Sequence, residues 1–423
     1  MITATLQAGP RLNELRRRLG GRDVVGQTAV YAVASAAASM ANGVAKGLAA
    51  AILSVPDFAV FAFSQTLLTY LALFFEFGLF LPAARACALA SGDEGRDLIG
   101  TAIVLYIPVA VAFVVTVFGA SFIVDDIFRV HAGHTLRAVA VISFGWPFAF
   151  VGLQLAQGVG RLHISAIVAL GASLIFVGAF ALARLVMGHI TVDAALMCQC
   201  GGLAIGAFVL ASWLRPRFVA WRSHVRPIVR DARRYGFAVY IGRVLSIGTY
   251  NMDVLMLGAL APGKAVASYV LAGAISIGAA LPVVSLGNAL FAPLARAERI
   301  GRTSLIAAWV VGLATVPIAW VGSRLAVDYL FSAAYQPVVT LVIPLTMASA
   351  LRGVTGLYNS FLAAHGRGRA LRAAGVVLTT SNLLLNFALI PAFGADGAAW
   401  ASFIALLANL VAYVVGYRRA IQS

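Results

Sequence analysis

The chain has 423 residues, of which 61% are hydrophobic and 11% charged, with a mean hydropathy of +0.94. Soluble globular proteins carry about 45–50% apolar and about 25% charged residues, so soluble enzymes, DNA-binding proteins and secreted scaffolds are excluded. The formal net charge of +16 comes from arginines lying between apolar runs, the pattern of membrane-protein loops and not of nucleic-acid contact. The expected partner is therefore a lipid bilayer, with no nucleic acid.

Residues 1–23 are Arg-rich and predict an interfacial segment on the inner face. The apolar run that follows is too long for the h-region of a cleaved signal peptide. A membrane helix needs about 20 apolar residues, and runs of that kind predict spans near 26–53, 58–82, 98–120, 136–159, 163–187 and 190–213. After a basic stretch they resume near 236–260, 266–293, 303–323, 338–363, 370–393 and 396–417. Helices are expected because each span must satisfy its own backbone polar groups in lipid. The alternation of an outer-membrane barrel is absent. The domain reading is an N-lobe over 24–213, a basic cytoplasmic linker over 214–235 and a C-lobe over 236–423.

With the N-terminus inside, 23 of the 31 Lys and Arg residues fall on inner segments and five on outer ones. The positive-inside rule then puts both termini in the cytoplasm. The three that remain, Lys46, Arg243 and Arg352, lie within spans.

Three pairs of segments recur at nearly one offset. Leu79-Phe-Leu-Pro-Ala-Ala-Arg-Ala86 matches Leu290-Phe-Ala-Pro-Leu-Ala-Arg-Ala297. Val124-Asp-Asp-Ile-Phe128 matches Val327-Asp-Tyr-Leu-Phe331, and Gly160-Arg161 matches Gly366-Arg367. The offset contains six spans, an even number, so the halves run in the same sense. Two parallel six-helix repeats around a central cavity are expected, as in rocking transporters.

A charge at mid-bilayer costs about 2.5–3.5 kcal/mol on insertion scales, so such residues face a cavity or a partner. Lys46 and Arg243 are long enough to snorkel toward an interface, and either that or a cavity accounts for them. Arg352, flanked by Gly353 and Gly356, is deeper and reads as a cavity cation. Asp253, near Asn251, is a deep carboxylate suited to a paired, protonatable or cation-binding role. Glu76, beside Phe77 and Gly78, is either an ion-coupling partner or a local structural group. Asn382 and Asn386 share one helix face and either line the cavity or bond between helices. Fixed positive charge in the cavity favours an anionic headgroup, with Arg offering bidentate contact to phosphate.

Signals of catalysis are missing. No His-Glu-x-x-His or Gly-x-Ser-x-Gly occurs, and Gly258-Ala-Leu-Ala-Pro-Gly263-Lys264-Ala265 lacks both the final Ser/Thr and the preceding strand of a phosphate loop. The six histidines form no constellation. Cys198 and Cys200 sit in an apolar run and are not read as a metal site, and with Cys87 they make no disulfide framework. The chain is expected not to be an enzyme and to need no cofactor beyond a coupling H⁺ or Na⁺.

Several stretches resemble the bacterial polysaccharide-export flippases. They are Ala49-Ala-Ala-Ile-Leu-Ser-Val-Pro-Asp-Phe-Ala-Val-Phe61, Phe75-Glu-Phe-Gly-Leu79, Asn251-Met-Asp-Val-Leu-Met-Leu-Gly258 and Ala267-Ser-Tyr269. Leu362-Ala-Ala-His-Gly-Arg367, Asn382-Leu-Leu-Leu-Asn386 and Ile390-Pro-Ala-Phe-Gly-Ala-Asp-Gly-Ala-Ala399 are similar to the family's span ten to twelve region. Lys46 departs from the family pattern. The resemblance implies the polysaccharide transporter branch of the multidrug, oligosaccharidyl-lipid and polysaccharide exporter superfamily. It implies a flippase that moves polyprenyl-pyrophosphate-linked oligosaccharides from the inner to the outer leaflet of the bacterial inner membrane by alternating access. A glycan polymerase and a chain-length regulator are the implied partners. On this reading Arg243, Arg352, Lys46, Asn382 and Asn386 bind substrate, while Asp253 and Glu76 couple an ion. A drug/cation antiporter of the same superfamily is the alternative, disfavoured by buried cations outnumbering anions. A membrane-embedded glycan transferase or ligase is disfavoured by short outer loops.

Overall fold

A computed structural model describes residues 21–90, 92–289, 294 and 297–422. The side chains of Arg243 and Asn251 and most of the second Leu-Phe-Ala-Pro copy lie outside the described residues, as does most of the Arg-rich segment 1–23. The N-half comprises α1 (Gly21–Ile52), α2 (Val55–Phe74), α3 (Phe80–Leu89), α4 (Asp93–Ala120), α5 (Gly133–Val139), α6 (Gly145–Gly158), α7 (Leu162–Met187) and α8 (Val192–Trp213). A linker helix, α9 (Trp221–Asp231), leads to α10 (Phe237–Leu260), α11 (Gly263–Ala289), α12 (Arg302–Tyr329), α13 (Pro337–Ala364) and α14 (Gly368–Gln422). No strand occurs among the described residues.

Among the described residues, eight helices are long and apolar enough to cross a membrane, and a bent pair, Gly133–Val139 with Val141–Gly158, makes a ninth. The two arms of α14 stand where the sequence predicts spans eleven and twelve, and α1 and α10 where it predicts spans one and seven. The chain is a multi-pass membrane protein. Its lipid-facing stripes are visible on α4, where Ile107, Val111, Val115 and Phe118 are exposed at spacings that place them on one helix face. Exposed apolar area of that kind is covered only by lipid or protein.

The local geometry departs from the predicted spans in two places. Span two ends at Phe74, because Phe77 and Gly78 adopt φ of 48° and 67°, which no helix continues. The chain restarts as α3, so the predicted single span over 58–82 is a helix, a break and a second short helix. Span four is bent by 70° between α5 and α6. Spans eleven and twelve, by contrast, are two helical arms of α14 that meet at Gly394, at φ 56° and ψ −128°, in the gap that the sequence predicts between 370–393 and 396–417.

The repeat is a property of the fold. Gly160 (φ 70°) and Gly366 (φ 67°) close their helices in the same way. The amide of Arg161 donates to the Ala156 carbonyl at 2.7 Å, and that of Arg367 to the Leu362 carbonyl at 2.9 Å. This six-to-one bond is the Schellman closure, which needs a left-handed residue that glycine adopts without penalty. Gly188 and Gly394, also with positive φ, terminate α7 and the first arm of α14 at the same offset of 206 residues.

The arginine-rich segments gather at one face, where the linker is tied to α4. The Arg217 amide donates to the Arg96 carbonyl at 2.9 Å, Arg96 Nε donates to the Arg215 carbonyl at 3.1 Å, and Arg217 pairs with Asp93. Toward the opposite face the halves share one apolar core, with Phe58, Phe61 and Phe63 of α2 joined to Leu257, Tyr335 and Leu341. The Arg129 amide donates to the Gly258 carbonyl there at 2.8 Å. Toward the arginine-rich face each half keeps its own core. One contains Phe80, Phe148, Leu155 and Leu210; the other contains Val283, Leu351, Leu357 and Phe361. The two lobes are thus welded at one end and separately packed at the other. The seam between α2 and α10 is the exception, since the Tyr240 hydroxyl donates to the Phe74 carbonyl at 2.8 Å.

Candidate functional site

Between the lobes lies a cavity of about 330 Å³. Lys46 of α1 and Thr66 of α2 line it from the N-lobe, while Asp253 of α10, Tyr269 of α11, Arg352 of α13, and Asn382 and Ser402 of α14 line it from the C-lobe. Four of the residues singled out in the sequence, Lys46, Asp253, Arg352 and Asn382, therefore meet in one space. They come from four helices and from both halves of the chain.

Asp253 is 5% exposed and sits at the centre of a polar cluster. Its Oδ2 accepts from the Tyr269 hydroxyl at 2.7 Å and from the Ser402 hydroxyl at 2.6 Å. Its Oδ1 accepts from Asn386 Nδ2 at 2.6 Å. Asn386 Nδ2 also donates to Asn382 Oδ1 at 3.1 Å, so the two asparagines of one helix face act as a pair. All these donors are neutral, and no Lys, Arg or His lies within salt-bridge distance of Asp253 among the described residues. Asn386 Oδ1 is buried with no hydrogen-bond partner. An orphaned buried acceptor costs about 1–3 kcal/mol, and a proton or small cation beside the carboxylate would satisfy it. Apart from the asparagine nitrogens, the polar atoms of the cluster are oxygens, which suit a hard cation. One layer away, the hydroxyls of Thr249 and Thr379 pair at 2.9 Å, joining α10 to α14.

Lys46 makes no hydrogen bond or ion pair among the described residues. Arg352 lies near the midpoint of α13 and is exposed to the cavity. Glu76 does not join this space. It is 2% exposed in the break between α2 and α3, where Gln154 of α6 donates to its carboxylate. Asn386 stands behind the cavity wall, 0% exposed, and reaches it through Asp253. Sequence reading did not single out Tyr269, Ser402 or Thr66. A tyrosine or serine in an apolar span is a common residue, and only its helix face, set by packing, marks it as part of a cluster. Among the described residues no group of three or more His, Cys, Asp or Glu gathers in a metal-binding arrangement.

The fold is shared with solved transporters of low sequence identity. The chain is similar to the lipid II flippase MurJ in an inward closed conformation, with a TM-score of 0.74, 12% identity, and coverage of 93% of this chain and 89% of that one. It is similar to the inward-facing form of a multidrug resistance MATE family transporter of the MOP superfamily, at 0.71 and 16% identity, covering 90% and 93%. The outward-facing form of a MATE family transporter matches at 0.60 and 16% identity, covering 94% of each chain. No curated protein matches the chain by sequence. The family described as polysaccharide biosynthesis protein matches residues 24–292, more than half of the chain. This multi-pass membrane protein therefore belongs to the polysaccharide biosynthesis protein family, on the fold of MOP superfamily transporters.

Proposed function

We propose that this chain is a flippase that carries a polyprenyl-pyrophosphate-linked oligosaccharide from the inner to the outer leaflet of the bacterial inner membrane by alternating access. The observation that carries the reading is the inter-lobe cavity, into which two cations from opposite lobes, Lys46 and Arg352, both face. A guanidinium and an ammonium on facing walls suit a diphosphate, with the polyprenyl tail left in lipid between the lobes. Arg243, on α10 about 15 Å below Asp253 at 1.5 Å per residue, is assigned to first contact with the headgroup. By the positive-inside rule the arginine-rich face is assigned to the cytoplasm, and both termini with it. Separate apolar cores on that face, and the better match to the inward-facing transporter than to the outward-facing one, support an inward-directed state.

The Asp253 cluster is assigned to a coupling ion, H⁺ or Na⁺, bound or released as the lobes rock. Glycan polymerase and chain-length regulator are the expected partners, and the chain is assigned no catalytic step. A drug/cation antiporter, whose cargo is cationic, would meet two cations in this cavity, which disfavours it.

Arg352→Ala tests the proposal. A charge-assisted contact to phosphate is worth about 1.5–3 kcal/mol, so glycan export should fall about 10- to 150-fold while the protein still inserts. Arg352→Lys, which keeps the charge but loses the bidentate fork, should recover part of it. Normal export by Arg352→Ala would remove the headgroup site.

A further inference from the structure

A second cavity, of about 400 Å³, lies inside the N-lobe between α1, α6, α7 and α8. Its character differs from that of the inter-lobe cavity, because no residue lining it is charged. The polar groups facing it are hydroxyls and carboxamides, among them Tyr31, Ser35, Asn42 and Gln199, and the rings of Phe148 and Phe176 form part of its wall. A volume of this size falls within the usual range of small-molecule sites, which is about 300–1,000 Å³.

The two cavities are neighbours. On α1, Tyr31, Ser35, Ala38 and Asn42 are spaced by four, three and four residues, which is one helix face. Lys46 is the next position of the same stripe, about 6 Å further along the axis, and it lines the inter-lobe cavity. On α2, Gln65 is hydrogen-bonded to Gln199 in the wall of the N-lobe pocket, and the adjacent Thr66 lines the inter-lobe cavity. The neutral pocket thus opens from the same α1 stripe that carries the cation.

We infer that the N-lobe pocket seats the sugar joined directly to the pyrophosphate, an uncharged hexose or N-acetylhexosamine. Such a ring presents hydroxyls at its rim, which pair with hydroxyls and carboxamides, and an apolar C–H face, which packs on aromatic rings. In a pyrophosphate-linked glycan the first sugar is bonded to the phosphate itself. A sugar pocket one helical turn from the cation is where that chemistry requires it. The inference rests on the flippase reading above and adds to it the site that distinguishes a glycosylated lipid from a bare one.

The test uses the full chain purified into lipid nanodiscs, with binding read by native mass spectrometry. The probes are undecaprenyl pyrophosphate and the same lipid carrying one glucose, galactose or N-acetylglucosamine. Asn42→Leu removes a carboxamide from the pocket and Ala169→Phe fills it; both positions are exposed to the cavity, so neither overpacks the core. At least one glycosylated probe should bind about tenfold more tightly than the bare lipid, equal to about 1.4 kcal/mol. Each variant should reduce that preference to about twofold or less while keeping the affinity for the bare lipid. Absence of any preference in the unmodified protein, its survival in both variants, or loss of both lipids in both variants would overturn the inference. If the bare lipid fails to bind, or binds Arg352→Ala unchanged, the flippase reading fails instead.

Discussion

Asp253→Asn separates the charge of the polar cluster from its shape. The carboxylate accepts three hydrogen bonds, from Asn386 at 2.6 Å, Ser402 at 2.6 Å and Tyr269 at 2.7 Å. An asparagine of the same outline can turn its oxygen to Asn386 Nδ2 and its NH₂ to the two hydroxyls. Either hydroxyl can accept, and they already lie 3.2 Å apart as a mutual pair. The hydrogen bonds are therefore largely kept, and thermal stability in detergent should change by about 1 kcal/mol or less, the value of one ordinary net bond. The negative charge is lost, and with it the partner of the proposed coupling cation. A charge-assisted contact of about 1.5–3 kcal/mol corresponds to a 10- to 150-fold weaker ion site. The assay is radioactive Na⁺ binding by the purified protein, together with export in cells across a range of external Na⁺ and pH. The expected result is a folded protein whose export is slowed and no longer responds to the ion. Export by Asp253→Asn at the normal rate, with the normal response to Na⁺ and pH, would refute the assignment.

Two glycine substitutions separate backbone strain from lost packing. Gly366→Ala places a side chain at φ 67° in open space, so it should cost only the left-handed penalty of about 1–2 kcal/mol, read as a modest fall in melting temperature. Gly78→Ala has the same φ, but its Cβ would lie 2.6 Å from the Gly236 carbonyl oxygen, across the seam between the lobes. It should therefore lower the melting temperature further than Gly366→Ala; an equal fall would show that this seam is soft. Orientation is read with single cysteines on a cysteine-free background. Lys264→Cys should react with a membrane-impermeant maleimide in intact cells, and Ser223→Cys only after lysis, and the reverse pattern would invert the topology.

The positions of the spans were legible along the chain because a membrane helix must be apolar for its whole crossing and must close its own backbone bonds. The charge bias and the paired Gly-Arg stations are likewise written locally, and the matching Schellman closures at Gly160 and Gly366 show that these short repeats mark a structural one. The break after Phe74 was carried by Glu76-Phe77-Gly78, but an apolar run continuing through Leu81 concealed it. Hydropathy averages over a window and does not register two left-handed residues.

The composition of the site was decided elsewhere. A helix that is apolar on all sides gives no periodic signal of which face is buried. So the sequence by itself placed Lys46, Arg243, Asp253, Arg352, Asn382, Asn386 and Glu76 at lipid depth and paired only the two asparagines, by their shared helix face. Tertiary packing sent Glu76 to Gln154, brought Tyr269 and Ser402 to Asp253, and turned Lys46 toward Arg352's cavity. Those contacts join residues up to 149 positions apart in the chain, and such distances are set by how helices pack, which no local pattern of residues records.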